Sequence, residues 1–96
     1  MQRDEVLKLL AGHKPELQQR FGVTELALFG STARGTATTN SDVDILVAFD
    51  GPATSERYFG VQFLLEDALG CTVDLVTVKA LRPELRPHIE REAVHV

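Results

Sequence analysis

Ninety-six residues, 44% of them hydrophobic and 25% charged, suffice for one domain (1–96) with a modest core and leave no room for a second lobe. The formal net charge of -4, with ten basic residues scattered and no basic run, argues against a broad surface for polynucleotide phosphates. The single Cys71 excludes an internal disulfide, the N-terminus lacks the sections of a signal peptide, and no apolar stretch approaches the roughly 20 residues of a bilayer span, so a cytoplasmic protein is expected.

From Asp4 to about Arg20, Val6, Leu7, Leu9, Leu10 and Leu17 fall largely on one face at helical spacing, interrupted by Gly12 and Pro15. One bent helix or two short ones fit that pattern. Phe21 and Gly22 close it, and Val23 to Phe29 reads as a first strand. Gly30-Ser31 then breaks the apolar run and opens a short helix, cut off by Gly35 and the threonine-rich stretch behind it.

The chain re-enters an apolar run through Asp42-Val43-Asp44-Ile45-Leu46-Val47-Ala48-Phe49, a buried strand carrying two acids at its start. Asp50-Gly51-Pro52 is a turn, followed by a helix from about Ser55 to Leu69 with Ser55 as N-cap and Gly70 as C-cap. Its apolar face is wide; core packing is the default for Tyr58, Phe59 and Phe63, and contact with a partner the alternative. Cys71 to Val78 is a third strand interrupted by Asp74, in which Cys71 is expected to be a buried, inert thiol. A turn at Pro83 and a last helix from about Pro87 to Ala93 complete the chain, with Leu85, Ile89 and Val94 packing and Arg82, Arg86 and Arg91 wet. His13, His88 and His95 show no metal-ligand spacing.

The acids carry the chemistry. Side chains alternate along a strand, so Asp42 and Asp44 project from one face about 6.6 Å apart along the chain. At roughly 4 Å and an effective dielectric near 20, two carboxylates repel by about 4 kcal/mol, so a cation is expected between them. Mg²⁺ suits the position, because it is held by one or two carboxylates while substrate phosphates and water fill the other places. Gly30 permits close approach to the backbone, and the helix start at Ser31 offers N–H donors to a phosphate. Taken singly, Gly30 reads first as a strand terminator and Ser31 as an N-cap; the combination with the acids is what points to a phosphate cradle. Asp74 suits either a salt bridge to an arginine or a metal site. Arg34 suits either a triphosphate contact or a solvated helix arginine.

Gly30-Ser31, ten residues, Asp42-Val43-Asp44 and a later Asp74 together resemble a minimal nucleotidyltransferase of the DNA polymerase beta superfamily. The likeness covers nearly the whole chain. It extends to the short MNT-type antitoxins of HEPN/MNT pairs through Gly30-Ser31-Thr32-Ala33-Arg34-Gly35 and Leu81-Arg82-Pro83-Glu84-Leu85. The resemblance implies an α+β (α/β mixed) nucleotidyltransferase fold, a small mixed sheet flanked by helices in the order α-β-α-β-α-β-α. It also implies that Gly30 and Ser31 contact nucleotide phosphates and that Asp42 and Asp44 hold Mg²⁺ on the triphosphate. Asp74 would complete the metal site and help deprotonate the acceptor hydroxyl. The implied reaction moves AMP from ATP to a hydroxyl, a tyrosine of a cognate HEPN toxin, and so neutralises that toxin. The chain has no additional helical region to bind a small acceptor, so the acceptor is expected on another molecule. Two other readings fit the same residues: an antitoxin that neutralises by binding alone, and a stand-alone transferase for a small hydroxylated acceptor.

Overall fold

The computed structural model describes residues 2–38 and 40–96. Its first element is a single helix, α1 (Arg3–Phe21), which continues through Gly12 and Pro15. Burial decides between the one-helix and two-helix readings. Val6, Leu10 and Leu17 are fully excluded from solvent, and that stripe offsets the roughly 3 kcal/mol an interior proline can cost. Gly22 ends α1 at φ 71°, donating its N–H to Gln18.

There follow β1 (Val23–Phe29), α2 (Gly30–Arg34), β2 (Val43–Phe49), α3 (Ser55–Leu69), β3 (Val73–Thr77), a 3-10 turn (Val78–Ala80), α4 (Arg86–Glu92) and β4 (Val94–His95). The sheet order is β3-β2-β1-β4. β1 runs antiparallel to β2 and β4, and β2 runs parallel to β3, so the sheet is mixed as expected. β4 extends the expected element order. With two residues it has no alternation to read, and it exists because Leu28 and Ala27 supply a free edge for Val94 and His95. The last helix begins at Arg86, so the Leu81–Leu85 segment precedes it, and Leu85 is 46% exposed instead of packed.

The two faces of the sheet differ. Leu26, Leu28, Ile45, Val47, Val73 and Leu75 form a core with α1 and α3. The opposite face carries Ala27, Phe29 and Leu46, against which the partly buried Val76 of β3 and Val78, Leu81, Ile89 and Ala93 of the C-terminal segment pack. By alternation Asp44 shares this thinly covered face with Leu46. No helix is long and apolar enough to cross a membrane among the described residues.

Three side chains of α3, one turn apart, occupy the outer edge of β3. Tyr58 donates its hydroxyl to Leu75 O at 2.6 Å, Gln62 Nε2 donates to Val73 O at 3.3 Å, and Glu66 Oε2 accepts from Val73 N at 3.1 Å. An edge strand otherwise presents unpaired backbone to any passing chain. Tyr58→Phe removes one of these bonds and is expected to cost about 1 kcal/mol, a fall in Tm of about 4–8 °C by calorimetry; an unchanged Tm would show the edge does not depend on it.

The α3 bounds match expectation, but its N-cap is Thr54, whose Oγ1 accepts from Arg57 N at 3.2 Å. Phe59 and Phe63, 48% and 64% exposed, stack with ring centroids 6.1 Å apart on the outer face of α3, so only Tyr58 of the three aromatics joins the core.

Candidate active site

β1 delivers the chain to Gly30 with Phe29 directly opposite Asp44 in the antiparallel register. Gly30 takes φ +74°, and a Cβ there would collide with the Asp44 carboxylate, its Cγ lying only 2.8 Å away. Glycine is therefore required twice, for the left-handed backbone and for the space. α2 is pinned by buried Thr32 and Ala33 and stopped by Gly35 at φ 77°. Beyond it, Thr38 N donates to Ser41 Oγ at 3.0 Å and Ser41 N to Thr38 O at 3.1 Å, a tight turn that sets Asp42 at the mouth of β2.

Asp44 and Asp74 are partners in the parallel register of β2 and β3. Two carboxyl groups therefore stand side by side on the thinly covered face, that of Asp44 directly against Gly30. Asp44 is half-buried, and its pKa is pushed up from 3.8 to about 6, by burial first, then by the Asp74 charge, by a hydrogen bond that the protonated Asp44 carboxyl donates to Asp74, and by the Asp42 charge. Arg34 opposes the shift. Asp74 is exposed, not buried as its place in an apolar run suggests, and it forms no ion pair among the described residues. β3 is an edge strand, so a side chain on its open face reaches water.

No three His, Cys, Asp or Glu side chains among the described residues form a ready-made metal cage. The donor set nevertheless fits Mg²⁺, a hard cation that takes carboxylate oxygens, demands few of them and leaves places for phosphate and water. Asp44 supplies the physical sign of fit: desolvation and two neighbouring acids hold a proton at a position that a cation would neutralise better.

One participant has no local sequence signature. Glu92, the last residue of α4, lies against the Gly30 turn: Oε1 accepts the Gly30 N–H at 3.1 Å and Oε2 accepts from Arg34 at 3.0 Å. In sequence it is one more acid in a charged segment 62 residues from Gly30. A cleft of about 520 Å³ opens beside α2, lined by Arg3, Asp4, Thr32, Arg34 and Gly35, and does not include the three aspartates. Cys71 lies just before β3, half-buried, with its thiol pKa raised by burial, which agrees with an inert role.

A family model for the nucleotidyltransferase domain matches residues 10–96. The chain belongs to the nucleotidyltransferase domain family. It is similar to the protein adenylyltransferase MntA of Thermococcus cleftensis, 41% identical over 93 residues that cover 97% of this chain and 94% of that protein. A solved structure described as a minimal nucleotidyltransferase superposes with a TM-score of 0.82 at 37% identity, covering 98% of this chain and 95% of that one. A toxin-antitoxin crystal structure with AMP-PNP matches with a TM-score of 0.70 at 25% identity, covering 99% of this chain and 72% of that one. This nucleotidyltransferase thus has the sheet and helices of the minimal type throughout its described length.

Proposed function

We propose that the chain is a Mg²⁺-dependent protein adenylyltransferase, transferring AMP from ATP to a hydroxyl, a tyrosine, of a cognate HEPN toxin and thereby acting as its antitoxin. The observation that carries the reading is the Asp44–Asp74 pair in strand register, with Asp44 directly against the Gly30 turn. A relative named as a protein adenylyltransferase and a toxin-antitoxin neighbour with AMP-PNP support the nucleotide and the kind of acceptor. The expected setting is the cytoplasm, and residues 1–96 act as one domain.

In this reading the Gly30–Ser31 turn holds the phosphates and Arg34 neutralises them. Asp42 and Asp44 are the metal ligands, with Asp74 completing the set. Mg²⁺, when bound, supplies charge neutralisation on the triphosphate. The acceptor oxygen forms a bond to the α-phosphorus as the bond to the bridging oxygen breaks and pyrophosphate leaves. Asp74, exposed on the edge strand where an acceptor can approach, takes the hydroxyl proton. Alignment and fixed charges account for most of the acceleration.

Intact mass spectrometry of the HEPN partner after incubation with this chain, Mg²⁺ and ATP is expected to show one or more added AMP units. The Asp42→Asn, Asp44→Asn double variant should add none. A tight complex with unchanged partner mass would replace transfer by neutralisation through binding.

A further inference from the structure

The Gly30 amide and the Arg34 guanidinium are the two groups on the α2 turn best suited to an incoming phosphate, and both already hold an anion. One carboxylate, Glu92, bridges them with contacts of 3.1 and 3.0 Å. We infer that Glu92 is an internal competitor for the nucleotide's phosphate position, an autoinhibitory contact that ATP must displace before the turn can bind it. The inference rests on the nucleotide reading proposed above.

Carboxylate and phosphate oxygens make the same charge-assisted hydrogen bonds with an amide and a guanidinium. While Glu92 stays in place, an approaching triphosphate meets a filled donor set and a like charge. Once Glu92 swings out, neither donor is left unpaired, since phosphate takes both. The exchange needs no main-chain movement: Glu92 ends α4, where Ala93 N is bonded to Ile89 O at 2.9 Å, and β4 beyond it stays paired with β1. With Glu92 only half-buried, its released carboxylate reaches water. The apparent dissociation constant is raised by the fraction of molecules in which the position is closed. A closed state favoured about tenfold weakens ATP about tenfold and screens out weaker anions in the same proportion.

A purely structural role, α4 clamped to α2 by an ion pair, makes the opposite prediction for binding. Glu92→Gln keeps the shape and removes the charge, and Glu92→Ala removes both contacts. Isothermal titration of the whole chain with ATP and Mg²⁺ is expected to show binding about tenfold tighter for both variants, whether or not Tm falls. Unchanged or weaker binding by both, with the unaltered chain binding ATP, would overturn the displacement and leave the nucleotide site standing. If neither the unaltered chain nor the variants bind ATP, the nucleotide reading fails and takes this inference with it.

Discussion

Asp44→Asn is expected to abolish adenylyl transfer, by about 10³-fold or more, and at the same time to raise the Tm of the metal-free protein at pH 8. Both effects come from one carboxyl. In the proposed role of metal ligand it would contribute charge that an amide cannot replace, and losing one such electrostatic element typically costs about 10²–10³ before weakened metal binding is added. As an acid it is strained in the metal-free fold, its pKa raised from 3.8 to about 6 mainly by burial and by Asp74. The folded chain therefore holds this proton more tightly than the unfolded chain does. The stability it contributes is fully present below about pH 4 and is lost as pH rises through about 6, leaving a penalty at pH 8. Because the carboxyl is only half-buried, solvent screening limits that penalty to about 1 kcal/mol. Thermal melts in EDTA should then place Asp44→Asn about 4–8 °C above the unaltered chain at pH 8, with no advantage at pH 4. With the metal role proposed above, Mg²⁺ is expected to reverse the order, since the unaltered chain would gain more from a bound ion, about 2.7 kcal/mol at a hundredfold excess over Kd. A lower Tm for the variant in EDTA at pH 8 would contradict the electrostatic account.

Gly30→Ala should be costly on two separate counts. The left-handed backbone at φ +74° alone costs an alanine about 1–2 kcal/mol. The added Cβ also meets the Asp44 carboxylate, whose Cγ would stand 2.8 Å away, so either Asp44 rotates off its position or β1 and β2 part. A total near 3 kcal/mol, a Tm drop of about 15 °C, and loss of transfer are expected. Gly35→Ala is the matched control: it has the same kind of backbone, φ +77°, and no atom within 4 Å of its Cβ. Melts and initial rates of the two variants side by side separate strain from collision. Equal losses would mean that the Gly30–Asp44 contact has no special weight.

The readable part of the site is the part whose residues violate local expectation. Asp42 and Asp44 stand out because an apolar strand has no packing use for a pair of acids, and Gly30 because it ends such a strand abruptly. Glu92 violates nothing. An exposed-looking acid at the end of a short charged helix is ordinary, and only the placement of α4 turns it toward Gly30 and Arg34. Asp74 is conspicuous in the sequence, but its exposure is not legible there, because a run of apolar residues does not reveal that one strand is at the edge of the sheet. Leu85 and the Thr54 cap differ from expectation for a smaller reason, element ends shifting by one or two residues with the backbone bonds that close them.

The amino-acid sequence by itself determined β1 to β3, α2 and α3, the glycine turn and the three aspartates, since each rests on periodicity or on a residue out of place in its own segment. The tertiary structure decided the rest. Strand order and direction, β4, the exposure of Asp74, its register with Asp44 and the Glu92 bridge all depend on contacts between segments far apart in the chain. Local patterns carry no information about which distant partner will satisfy a free edge or a free donor; packing and hydrogen-bond satisfaction across the whole fold make that choice.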